Sequence, residues 1–212
     1  PGDDRTDYLE HSLSTHRLRE LQRSGRRLAD RGAMLFTTTS EPISTEIEEF
    51  FALEASGWKG EAGTAAASRE DTRSFFKSAL TSLAVEGKVT LNRLLLDGRA
   101  IAAALTLRSG GTAWYWKTAY NEAFARHAPG MLLTAALTEQ LAADVTIART
   151  DSCAAADNVV LNPLWRERLT LCDRLIAARP EAPFAPACRL ERLRRAAETA
   201  AKSVRARLRR QR

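Results

Sequence analysis

Cysteine is scarce: Cys153, Cys172 and Cys188 are odd in number and far apart, and none stands in a C-x-x-C or Cys/His spacing. That excludes a disulfide framework and the usual zinc sites, and it points to a reducing compartment with no metal. Long apolar runs are missing too. The most apolar stretch, residues 94–107, is cut by Asp97, Arg99 and Thr106, short of the roughly 18–20 residues that span a bilayer. Pro1–Glu10 is acidic and lacks a charged-then-apolar leader pattern, so a cytoplasmic protein is expected. The first residue is not Met, and a fragment or processed chain is expected. Glycine (11) and proline (7) are too few for a collagen-like or low-complexity chain.

What is present is an ordinary globular composition, 44% hydrophobic and 27% charged in 212 residues, enough for one domain and a tail. The formal charge of +6 is uneven. Residues 189–212 hold ten basic side chains against Glu191 and Glu198, net +8, so residues 1–188 carry −2. The tail is either a solvated charged helix or a surface that docks on the inner membrane or on a protein partner.

Hydrophobic periodicity orders the elements. Leu18, Leu21 and Leu28 among Arg17, Arg19, Arg23, Arg26 and Arg27 predict a basic amphipathic helix over residues 12–30, stopped by Gly32. Residues 33–38 read as a strand. Capping-box spacings at Thr45/Glu48 and Ser68/Asp71 open two helices that end near Gly57 and Gly87. The period then changes. Residues 89–96 and 100–108 flank Asp97-Gly98, a type I′ hairpin signal, and Gly110-Gly111 leads into a third strand over 112–118. Pro129-Gly130 opens a helix over 131–143, followed by a strand over 145–150, a short helix over 158–168 and a strand over 170–177. Pro180, Pro183 and Pro186 separate a last helix over 190–208. The fold class expected is α+β (α/β), a central, mostly antiparallel sheet flanked by helices, with residues 1–178 as the domain and 179–212 as linker and basic C-terminal helix.

This order, with LEASGWKGEAGTA (53–65), WYWKTAYNEAFARHAPGMLL (114–133), TDSCA (150–154) and NPLWRERL (162–169), resembles the GNAT acyltransferases. In particular it resembles the acetyltransferase domain of bacterial cellulose- and exopolysaccharide-biosynthesis acetyltransferases, related in turn to Fem-type aminoacyltransferases. The resemblance implies acetyl-CoA or another acyl-CoA as cofactor and an amine or sugar-linked acceptor. A Fem-type transfer from charged tRNA is the alternative. The basic helix supports it, the single-domain length argues against it, and nucleic acid is not the expected partner. A non-catalytic module that uses the basic tail is a third reading.

A helix N-terminus attracts a pyrophosphate through unpaired N–H groups and its dipole. Arg126, His127, Ala128, Gly130, Met131 and Leu132 supply such a terminus, with Trp116 on the preceding strand; the Pro-Gly pair could equally be a plain strand-to-helix turn. With Gly130 on the first glycine of the family's Gln/Arg-x-x-Gly-x-Gly/Ala loop, His127 and Leu132 fall at the other two sites. Asn158 either lies beside the cofactor or caps a helix. Seven residues on, Trp165 stands where the family's thiolate-protonating Tyr is expected, and an indole is no acid at neutral pH, so a buried aromatic plug is its expected role. Asp151, leaving the fifth strand, and Glu122, before the phosphate turn, are candidate bases, with Tyr120 the third catalytic candidate. Trp58, Lys59 and Lys117 are candidate acceptor-binding residues, the first two in a Gly-rich turn and the third on an aromatic strand.

Overall fold

The computed structural model describes residues 7–42, 44–177, 179 and 184–210. Two short helices, α1 (Tyr8–Ser12) and α2 (Thr15–Ala29), lead into β1 (Met34–Thr39). The helices α3 (Ser44–Ala55), α4 (Trp58–Glu61) and α5 (Glu70–Val85) follow, then the meander β2 (Val89–Leu96), β3 (Arg99–Ser109) and β4 (Thr112–Tyr120). A 3₁₀ turn (Glu122–His127), α6 (Pro129–Ala143), β5 (Arg149–Asp151) and α7 (Phe184–Arg210) complete the order. The sheet runs β1-β2-β3-β4-β5, antiparallel except for the parallel β4/β5 pair that α6 bridges. This is the mixed architecture that the sequence predicts.

Alternation along β3 divides the core. Ala103 and Leu105 pack with Ile47, Phe50, Phe51 and Leu80 of α3 and α5, whereas Ala102 and Ala104 pack with Leu28, Leu133 and Leu137 of α2 and α6. Asp97 (φ 49°) and Gly98 (φ 77°) make the hairpin turn with both central residues at positive φ, as type I′ demands.

Two features shape the site. The register of β4 against β3 passes from Lys117 opposite Leu105 to Tyr115 opposite Thr106, so Trp116 is an unpaired bulge residue. Furthermore, β5 pairs with β4 only at Thr112, Ala113 and Trp114, and among the described residues the rest of that edge of β4 has no strand neighbour.

Several sequence expectations are corrected. Neither capping box forms: Thr45 lies inside α3, and the N-cap of α5 is Arg69, with no side-chain cap. Glu48 is drawn instead into ion pairs with Arg73 (2.6 Å) and Lys77 (2.9 Å). The strand expected over 145–150 shrinks to Arg149–Asp151, because the Asp144 carboxylate accepts the Thr146 N–H (2.9 Å) and holds a turn. Residues 158–168 form only turns: Pro163 brings no N–H, and the Asn158 side chain holds the backbone N–H groups of Val160 and Leu161. Residues 170–177 are exposed and find no strand to pair with.

The chain divides into two compact units, one ending at Glu167 and the other beginning at Arg168. In the second, α7 starts earlier than its prolines suggest, because Pro186 sits in the first turn, where a missing N–H costs nothing. Arg194 and Arg195 both bind Glu191 and lower its pKa to about 2. Leu190, Leu193 and Val204 are exposed. Among the described residues no helix is long and apolar enough to cross a membrane.

Gly60 has no room for a side chain, since a Cβ there would lie 1.9 Å from the Ala55 carbonyl oxygen. Gly60→Ala is therefore expected to push α4 off α3 and destabilise the protein by about 1–3 kcal/mol, read as a lower urea midpoint at unchanged slope.

Candidate active site

The centre of the α3/α4 side is a carboxylate that sequence reasoning missed. Glu54 sits on the inner face of α3 among Phe50 and Phe51, and its side chain is fully buried. It accepts from Lys117 Nζ of β4 (2.9 Å), from Lys59 Nζ of α4 (3.4 Å) and from the Ala66 N–H (2.8 Å). Lys59 also donates to the Thr118 carbonyl at 2.6 Å. Burial lowers the pKa of Lys59; Glu54 opposes the shift and the Lys117 charge adds to it. Each lysine lies near an indole, Lys59 6.0 Å from the centroid of the exposed Trp58 and Lys117 5.7 Å from that of Trp116. Trp116 in turn packs against Phe76 (5.0 Å between centroids). The three candidate acceptor residues, Trp58, Lys59 and Lys117, therefore share one wall with Glu54.

Glu122 joins that wall from the other side, accepting the Trp58 N–H at 2.7 Å and so tying the turn after β4 to the start of α4. Asp151 does not belong to the same cluster. It pairs with Trp114, at the last rung before the sheet opens, three strand residues from Lys117 and so on the order of 10 Å away at about 3.3 Å per residue. Its carboxylate accepts the Cys153 N–H (2.8 Å) and, with burial as the larger cause, raises the pKa of the Cys153 thiol. That thiol is held protonated and is a poor nucleophile.

Opposite the wall, α6 begins at Pro129 on Ala128, which takes the left-handed conformation (φ 48°). The Met131 and Leu132 N–H groups are spent on the Ala128 carbonyl (3.0 and 3.1 Å), and both side chains turn into the core. Gly130 keeps its N–H, and a Cβ there would meet only Tyr120 Cδ1, at an ordinary 3.5 Å. A column of hydroxyls fixes this helix to the sheet. Tyr115 donates to Thr134 (2.7 Å), Thr134 to the Gly130 carbonyl (2.7 Å), Thr138 to the Thr134 carbonyl (2.6 Å) and Trp165 Nε1 to Thr138 (2.9 Å). Burial pushes the Tyr115 hydroxyl up to about 12. The indole of Trp165 packs edge-on against Tyr115 (5.3 Å), an aromatic plug whose N–H is committed to Thr138. Asn158 is likewise occupied, its side chain capping the turn that carries Leu161 and Trp165.

His127, the last residue of the 3₁₀ turn, is buried, and its Nε2 faces Arg126 Nε (3.1 Å) and Arg31 Nη1 (3.4 Å). Burial, then the charges of Arg126, Arg31 and Arg27, lower its pKa. Its Nδ1 is buried without a partner. An orphaned ring nitrogen beside guanidinium groups that no carboxylate pairs with among the described residues, and a Gly130 N–H left over from the helix, fits the phosphates of an acyl-CoA.

Residues 15–158, more than half of the chain, match the family described as "Acetyltransferase (GNAT) domain". The protein belongs to this family of GNAT acyltransferases. Two solved structures resemble it in fold. One is a possible acetyltransferase from Clostridium difficile 630, at 10% identity and a TM-score of 0.48, covering 69% of this chain and 96% of that one. The other is the aminoglycoside acetyltransferase meta-AAC0020 from an uncultured soil metagenomic sample, in complex with sisomicin, at 12% identity and a TM-score of 0.48, covering 69% and 97%. No curated protein sequence matches the chain.

Glu54→Gln is expected to leave Lys59 and Lys117 facing each other without a counter-charge, at a cost of about 3 kcal/mol in urea unfolding; a loss under 0.5 kcal/mol would show that the carboxylate is not the wall's anchor. The lowered pKa of His127 means that the unfolded chain binds the proton more tightly. Stability is therefore full above about pH 6.5 and falls as the pH drops through the lower, folded-state value. Melting curves between pH 7 and pH 5 are expected to show this decline, and His127→Gln to flatten it.

Proposed function

We propose that the protein is an acyl-CoA-dependent N-acyltransferase, with acetyl-CoA the first substrate to try. One observation carries the reading: β4 loses its parallel neighbour after Trp114, bulges at Trp116, and ends beside the Gly130 terminus of α6. That arrangement opens a slot in the sheet with a phosphate-attracting helix mouth at one end. Bound acyl-CoA supplies the acyl group as an activated thioester.

The chain's own residues do the rest. Gly130, Arg126 and His127 hold the phosphates. Alternate backbone N–H groups along the unpaired edge of β4 face the slot and are available to developing negative charge. Asp151, at the fork, takes the proton from the attacking amine; Glu122 is the second candidate, although its carboxylate already holds the Trp58 N–H. Trp58, Lys59 and Lys117 present the acceptor side, with Glu54 fixing both lysines. Trp165 donates to Thr138, which leaves the thiolate to be protonated by water. The family resemblance carried by the phrases at 53–65, 114–133, 150–154 and 162–169 is the support for a place in exopolysaccharide synthesis, with an amine or sugar-linked acceptor.

Isothermal titration with acetyl-CoA and coenzyme A tests the reading, with thiol release to added amines as the activity readout. Micromolar binding is expected for the natural chain and for Gly130→Ala, which has room for a methyl group, with loss of binding in Gly130→Trp. Absence of CoA binding by the natural chain would overturn the proposal.

A further inference from the structure

We infer that Arg31, in the turn after α2, is a phosphate-binding residue of the acyl-CoA site, where it works with Arg126 and His127 although 96 residues separate it from the latter. The inference rests on the acyl-CoA reading above and extends the site to a helix that precedes the sheet.

Arginine can only donate, so the contacts from Arg126 Nε and Arg31 Nη1 make Nε2 of His127 the acceptor and put the ring proton on Nδ1. That N–H is buried with no acceptor. Buried donors are nearly always satisfied, so the group calls for an oxygen that the protein does not supply. The charges say what kind of oxygen. Arg27, Arg31 and Arg126 all act on His127, and among the described residues no carboxylate pairs with any of them. The guanidinium of Arg31 is also oriented, lying 5.4 Å from the centroid of the Phe124 ring.

The helix mouth alone is a poor phosphate site. Pro129 has no N–H, Ala128 donates to Ala125, and Met131 and Leu132 donate to Ala128, which leaves Gly130. The missing donors come from side chains instead, and Arg31 offers a planar fork suited to phosphate oxygens. The contact of α2 with the 3₁₀ turn carries the fork to His127 and Phe124, just before the mouth of α6.

Calorimetry on the full chain, with coenzyme A and with S-acetylpantetheine, which carries no phosphate, tests this. Arg31→Met is expected to weaken coenzyme A at least tenfold, as loss of a charge-assisted hydrogen bond does. Acetylpantetheine binding should not change, Arg31→Lys should recover part of the loss, and Arg19→Met, an exposed arginine farther along α2, should bind as the natural chain does. Should Arg31→Met fail to melt like the natural chain, Arg31→Lys alone carries the comparison, with a loss of at least threefold expected for coenzyme A only. Coenzyme A affinity within twofold of the natural chain, equal loss for both ligands, or equal loss in Arg19→Met would overturn the inference. If the natural chain binds neither pantetheine nor coenzyme A, it is the acyl-CoA reading that has failed.

Discussion

Most of what this fold can do follows from one interrupted set of hydrogen bonds. Residues 112–114 of β4 have strands on both sides, and the remainder has one only on the β3 side. A half-satisfied strand in the middle of a sheet is costly unless something polar comes to it. The protein keeps the gap open from both faces. On one, the hydroxyl column from Tyr115 through Thr134 pins α6; on the other, Lys59 reaches the Thr118 carbonyl. The bulge at Trp116 adds local twist where the two strands diverge.

The two faces have different electrostatics. The α3/α4 wall is closed: two lysines surround a buried carboxylate anchored by the Ala66 N–H, and Glu122 beside them brings the formal charges into balance. The α2/α6 side is open, with arginines around a neutral imidazole. The field of the second face favours anions, and that of the first favours neither sign.

Local signals made much of this legible. Asp97-Gly98, Gly110-Gly111 and Pro129-Gly130 fix backbone conformations within a few residues, and β2, β3, β4 and α6 stand where those pairs put them. The capping boxes failed because Glu48 and Asp71 had better partners, Glu48 in Arg73 and Lys77 across the α3/α5 contact, and Asp71 in the neighbouring Arg69. Residues 158–177 misled because Leu171, Leu175 and Ile176 look like strand residues, and no sequence pattern says whether a neighbour exists to pair with. Glu54 was invisible for a related reason. In EEFFALEA it is one acid among several, and only the arrival of Lys117, 63 residues later, sets it apart. A fully apolar surround on α3 was the available hint, since Glu54 follows Phe50 by one helical turn.

That separation has a kinetic side. The β2-β3-β4 meander closes through two-residue turns, whereas the lock between Glu54 and Lys117 closes a loop of 63 residues and cannot form until β4 is in place. The Glu54 wall therefore carries a larger loop-closure cost than the meander it packs on. A wall locked by contacts so distant in sequence can change on α4 while the two-residue turns keep the register of the meander beneath it.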